Sequence, residues 1–312
     1  MTVTAPAGYA VRHPNPKDAE AVAQVMTAAD EGADKVSAND VAREWRELEV
    51  HNDVWLLETE TEAEAEAAKV GAYAELLKKS DDHVASEGFV VPEHTGQGLG
   101  ATLLELIEER ARELAPGGRL TNGVLDSNKA AVALLERKSY HPIRHFFRMA
   151  IELDQPPPEP QWPAGLEPRK FNREHAKAFQ EAAEEAFAEE WGHETETFDQ
   201  WRTRRLDDPG VSLDLWLGVW DGDELAATLI CDARRYEMGW IASVGVRQPW
   251  RRQGLGLALI HHAFGEFWRR GQRKVGLGVD AENPTGATRL YERAGMHVAF
   301  DAVVYEKRLQ GL

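Results

Sequence analysis

One cysteine occurs in the whole chain, Cys231, so no internal disulfide can form. Its setting, LAATLIC, reads as a small buried residue rather than a nucleophile. No apolar run approaches the ~20 residues that a membrane-spanning helix requires. The opening MTVTAPAGYAVRHP has neither the basic nor the apolar region of a secretion signal, and a cytoplasmic protein is expected. No G-x-x-x-x-G-K-[ST] is present, which excludes a P-loop. His261 and His262 have no further ligands at useful spacing, and no metal site is expected.

Positive charge is also scarce. The formal charge is −17, from 36 Lys+Arg against 53 Asp+Glu. A surface this acidic repels nucleic acid and anionic lipid while tolerating or attracting a small cation, so neither nucleic acid nor membrane is expected as a partner.

What the chain does have is internal repetition. Three consecutive prolines in DQPPPEPQWP, 154–163, make a stiff connector unable to join a packed sheet. On either side stand FVVPEHTGQGLGATLLELIEERARE (89–113) and GVRQPWRRQGLGLALIHHAFGEFWRR (245–270). Each reads as an apolar strand, a glycine turn and a helix. Each is followed by a second block of strand, Asp, Asn, helix and closing strand. Two blocks in the same order at similar spacing are a diverged tandem duplication. The expected division is 1–153, a connector at 154–163, and 164–312. The expected class is mixed α/β, two tandem domains, each a largely antiparallel sheet with helices on its faces. The acidic run 58–67 is expected to be a solvated loop.

In the second copy the turn RRQGLG, 251–256, ends a strand and opens a helix whose first amides lack internal acceptors. Such amides and the positive helix end form a phosphate site. Gly254 and Gly256 are expected to let a phosphate reach the backbone, with Arg251 and Arg252 adding charge. The alternative is that the glycines serve only close packing. Gly96, Gly98 and Ala101 match the dinucleotide pattern G-x-G-x-x-A, but a long hairpin region precedes them where the first strand of a parallel unit belongs.

These residues resemble the GNAT superfamily of acyl-CoA N-acyltransferases. Its [QR]-x-x-G-x-[GA] signature matches Arg251, Gly254 and Gly256. Its N-P-x-A/G-x-x-L-Y-x-x-x-G block matches Asn283, Pro284, Gly286, Ala287, Leu290, Tyr291 and Gly295. The tandem arrangement is similar to that of mycothiol synthase and related two-domain acyltransferases. The resemblance implies acetyl-CoA as cofactor, its pyrophosphate held by Arg251, Arg252, Gln253, Gly254, Leu255 and Gly256. It implies a pantetheine arm paired with backbone of Val244 and Val246, and Asn283 nearby. It also implies Tyr291 as the acid that protonates the leaving thiolate, a phenol of pKa ~10 serving a thiol of ~8.5.

Many relatives carry a Glu on the fourth strand as base; here that strand reads GWIASVGV, with Ala242 at the position. The remaining candidates are His193, Glu194 and Glu190 in EEWGHETE, and Glu237. A water chain with no single base is the alternative. In the first copy Thr95 and Gly96 stand opposite Arg251 and Arg252, and Leu135 opposite Tyr291. That copy is expected to be structural, or to bind cofactor without turnover. The reading is N-acetyl transfer to a primary amine of a small metabolite, by direct attack, in the second copy, in a monomer or homodimer. An acyl-CoA-binding sensor and a protein lysine acetyltransferase are the other readings.

Overall fold

The computed structural model describes residues 3–29, 35–60, 69–193, 195–208 and 210–310. In chain order its first elements are β1 (Tyr9–Arg12), α1 (Ala19–Ala29), α2 (Ala38–Glu44), α3 (Val50–Asp53), β2 (Val54–Thr59), β3 (Val70–Ser80), β4 (His83–Val90), α4 (Leu99–Leu114), β5 (Arg119–Leu125), α5 (Lys129–Arg137) and β6 (His141–Glu152). The second series is β7 (Glu167–Lys170), α6 (Ala176–Phe187), α7 (Phe198–Arg205), β8 (Leu217–Asp221), β9 (Glu224–Arg235), β10 (Met238–Val246), α8 (Leu255–Arg269), β11 (Lys274–Asp280), α9 (Ala287–Arg293) and β12 (His297–Arg308). Residues 154–163 enter no strand or helix. Most of the acidic run, residues 61–67, lies outside the described residues.

The elements form two compact units, Met1–Phe146 with Phe300–Leu312, and Phe147–Ala299. The second copy is expected to span 164–312, and the end of β12 groups with the first unit, pairing antiparallel with β5 from Ala302↔Leu125 to Arg308↔Arg119. The second unit in turn takes up the end of β6, where Leu153 N donates to Arg273 O at 2.6 Å.

Within each unit the plan is the same. Antiparallel pairing runs β1-β2-β3-β4 and β7-β8-β9-β10. The fourth strand of each series then pairs parallel with the fifth, β4 with β5 and β10 with β11. The long helices bury matching faces: Leu99, Leu103, Ile107 and Ala111 on α4, and Leu255, Leu259, Ala263 and Phe267 on α8. Full burial of each large side chain here contributes roughly 1.5–3 kcal/mol. The three-to-four-residue recurrence is what places them on one stripe. Gly239 lets α8 lie close to β10, because a Cβ there would stand 2.6 Å from Phe267 Cδ1. Cys231 is 1% exposed in the core beneath, and burial pushes its thiol pKa up, away from nucleophilic use.

Candidate active site

The candidate site of the second unit begins where β10 leaves β11. These strands share only the pairs Gly239↔Val275 and Trp240↔Gly276. From Ile241 to Val246, β10 continues antiparallel to β9 on one edge only. Between Ile241 and Ser243 the register slips by one residue, so Ala242 is a bulge and is exposed. Val244 and Val246, singled out from the sequence, lie on this single-paired stretch. A strand edge with free amides and carbonyls is a surface on which an extended ligand can add.

The turn after β10 carries the remaining sequence candidates. Gly254 is the N-cap of α8 with φ 87°, a left-handed conformation that suits glycine, and nothing lies within 4 Å of where its Cβ would be. The first helical bond runs from Ala258 N to Gly254 O, which leaves the amides of Leu255, Gly256 and Leu257 ahead of it. Arg252, Gln253 and Gly254 are exposed, and Gln253 Nε2 donates to Pro249 O at 3.2 Å. This is an open anion cradle, and it fits a pyrophosphate.

Two residues of the turn have protein partners. A Cβ on Gly256 would stand 2.9 Å from Leu290 Cδ2, so its missing side chain serves α8–α9 packing. Arg251 is committed to protein acceptors. Its Nε donates to Val246 O (3.1 Å), Nη2 to Ala186 O (3.0 Å) and Nη1 to Glu189 Oε2 (3.0 Å). It thereby ties the last turn of α6, with its orphan carbonyl, to the end of β10. Arg252, at φ 63°, is the exposed cation of the pair.

Tyr291 lies on α9, 8% exposed and packed in the core. Burial and the charge of Glu190 push its phenol pKa up, so the proton is held firmly. Asn283, in the loop between β11 and α9, donates Nδ2 to Glu190 Oε1 at 2.9 Å and accepts from Thr285 N at 2.9 Å. Its side chain is thus engaged with protein groups on both sides. Burial raises the carboxyl pKa of Glu190, opposed by the Asn283 bond and reinforced by Asp280; His193 and Arg251 pull it back.

His193 faces Glu184, Nε2 to Oε2 at 3.2 Å, while Glu184 Oε1 also accepts from Glu196 N at 3.3 Å. Glu194 lies outside the described residues. Glu237 sits at the tip of the β9–β10 hairpin with φ 57°, at the opposite end of β10 from the turn. Trp240 is buried beneath the guanidinium of Arg148, whose Cζ is 4.3 Å from its ring centre, while Trp191 is 37% exposed. Nothing in its local motif marks Glu184, whereas the buried Asp280 is the Asp of the second repeated block. Among the described residues no group of His, Cys, Asp and Glu is arranged to hold a metal.

The first unit keeps the backbone of the turn and carries different side chains on it. Gly98 caps α4 at φ 91° as Gly254 caps α8, and Gly96 is left-handed like Arg252. Leu135 fills the position of Tyr291 at 3% exposure. After each of these helices a left-handed residue, Ser139 or Gly295, closes the same turn, with Tyr140 N bonded to Leu135 O and Met296 N to Tyr291 O. A Cβ on Gly98 would meet Pro6 Cγ at 3.6 Å, so the N-terminal segment packs over this turn.

The repetition is matched by comparison with known proteins. The Acetyltransferase (GNAT) family matches residues 20–140 and again 153–296. A mycothiol acetyltransferase of Cellulomonas flavigena is 30% identical over 244 residues, 73% of this chain and 68% of that one. One of Catenulispora acidiphila is 26% identical over 250 residues, 77% and 78% of the two chains. A GCN5-related N-acetyltransferase from Sphaerobacter thermophilus shares the fold at TM-score 0.82 with 36% identity, covering 99% of this chain and 98% of that one. A tandem GNAT protein from the clavulanic acid biosynthesis pathway shares it at TM-score 0.71 and 15% identity, covering 97% and 99%. The chain belongs to the Acetyltransferase (GNAT) family, and is an acetyl-CoA-dependent acyltransferase built from two tandem copies of that family's fold.

Proposed function

We propose that the protein transfers an acetyl group from acetyl-CoA to the primary amine of a small metabolite, by direct attack, in the second unit. The observation that carries this reading is the parting of β10 from β11 after Trp240, with an open cradle at one end and buried Tyr291 on the helix that follows β11. The donor supplies an activated thioester. Val244 and the amide of Val246 offer backbone groups to its extended arm, the Val246 carbonyl being held by Arg251. The amides of Leu255–Leu257, with Arg252, take the phosphates. Tyr291 holds a proton for the departing sulfur.

The relatives of Cellulomonas flavigena and Catenulispora acidiphila are named mycothiol acetyltransferases, which supports a small-molecule acceptor. Calorimetric titration of acetyl-CoA into the wild type and into Arg252→Ala, followed by an amine screen, tests the reading. One site per chain, weakened by the substitution, is expected. Unchanged affinity in Arg252→Ala places the donor elsewhere.

A further inference from the structure

The segment that closes α6 is tied down at two points. On one side Arg251, at the turn after β10, binds Ala186 O and Glu189. On the other Asn283, just past β11, binds Glu190. The segment Ala186–Glu190 therefore links the two strand ends that bound the open gap. Glu190 is the one carboxylate on it that a β11–α9 loop residue orients. It is partly buried, and its charge is felt at Tyr291. Meanwhile the bulge residue of β10, Ala242, carries no acid.

We infer that Glu190 is the proton acceptor for the incoming ammonium group, with Asn283 as its positioning residue. The inference rests on the proposed function above. The acceptor binds as R–NH3+, and one N–H proton passes to a Glu190 carboxylate oxygen. The freed nitrogen lone pair forms the C–N bond at the thioester carbonyl, and the C–S bond breaks. The sulfur takes its proton from Tyr291 Oη, and the second N–H proton returns to that oxygen. Glu190 gives its proton to solvent, so the sum is amide, free thiol and one released proton. The assignment also fixes the substrate class as a cationic primary amine.

The groups facing Glu190 set its titration. Asp280 at the end of β11 favours the protonated acid, while Asn283, His193 and Arg251 favour the carboxylate. Partial burial also favours the protonated acid and brings the base closer to the pKa of the amine it serves.

The test is Glu190→Gln, which keeps the size and the acceptor oxygen for Asn283. Turnover is measured from pH ~6 to pH ~11 with glucosamine, 1,4-diaminobutane and glycinamide as probe amines. At pH ~7 the substitution is expected to lower kcat/KM by about 100-fold. The defect is expected to shrink above the pKa of the probe amine, where the nucleophile is already neutral. Asn283→Ala is expected to shift the acidic limb of the pH–rate profile, and Glu190→Asp to recover part of the loss. Acetyl-CoA affinity stays at the wild-type value in Glu190→Gln. A loss equal at every pH, or full activity at pH ~7, overturns the role of Glu190. Wild-type protein that binds acetyl-CoA and acetylates none of the probes overturns the proposed function, and this inference with it.

Discussion

Gly256 and Leu290 meet closely: a Cβ on the glycine would stand 2.9 Å from Leu290 Cδ2, so the end of the leucine side chain must shift to admit a methyl group. Leu290 directly precedes Tyr291, so pressure at this contact reaches α9 at that residue. Gly256→Ala is expected to lose about 1–3 kcal/mol of packing, offset by about 1 kcal/mol of helix propensity. Urea denaturation of Gly256→Ala, Leu290→Ala and the double variant checks it. A coupling energy near zero would show that the two side chains do not compete for one space.

Arg251 and Arg252 are adjacent cations with different surroundings. Arg251→Ala is expected to cost about 1–2 kcal/mol of stability, since it removes two bonds to backbone carbonyls and an exposed ion pair worth little. Arg252→Ala is expected to leave stability within about 0.5 kcal/mol and to weaken acetyl-CoA binding in a salt-dependent way. Thermal melts and calorimetry at two ionic strengths separate the two.

Tyr291→Phe is expected to lower kcat by about 100-fold or more with little change in acetyl-CoA affinity. Burial and the neighbouring Glu190 charge favour the neutral phenol, so the acid keeps its proton beyond its ordinary pKa. The wild-type rate should therefore show no alkaline loss from this group below pH ~10, the ordinary phenol value. A falling limb well below that pH, abolished in Tyr291→Phe, would contradict the assignment of its proton state.

In the first unit Glu75 accepts a hydrogen bond from Tyr73, which itself accepts from Trp45 Nε1 at 3.0 Å. Burial, with Glu44 and Glu87 adding repulsion, pushes the Glu75 carboxyl up to about 8. The folded state thus holds this proton more tightly than the unfolded chain. Its stabilising contribution is complete below the ordinary carboxylate pKa and is lost as pH rises from about 4.5 to about 8. Denaturant midpoints across that window should fall in the wild type and fall less in Glu75→Gln.

The sequence carried the elements of the second unit well, because apolar periodicity and glycine punctuation are local signals. Leu255, Leu259, Ala263 and Phe267 recur at four-residue steps and lie on one buried stripe, and Asp221-Gly222 occupies the β8–β9 turn, with Gly222 left-handed. What was not legible depended on distant partners. Arg251 reads as a phosphate ligand by its neighbours in sequence, and only the fold brings Ala186 and Glu189, more than sixty residues away, onto its guanidinium. Glu190 was one acid among several in EEWGHETE until Asn283 distinguished it. The partner of β5 likewise could not be read from spacing, since either closing strand matches the repeat.

The pairing of β12 with β5 also bears on the order of events during synthesis. The second unit is one continuous stretch, Phe147–Ala299, while the first needs Phe300–Leu312 to cover the outer edge of β5. A ribosome delivers the first unit's other strands more than 150 residues earlier, and domains usually fold in the order they emerge. Here the half made first must wait with an open sheet edge until the half made second has been built, so the later unit is free to close before the earlier one.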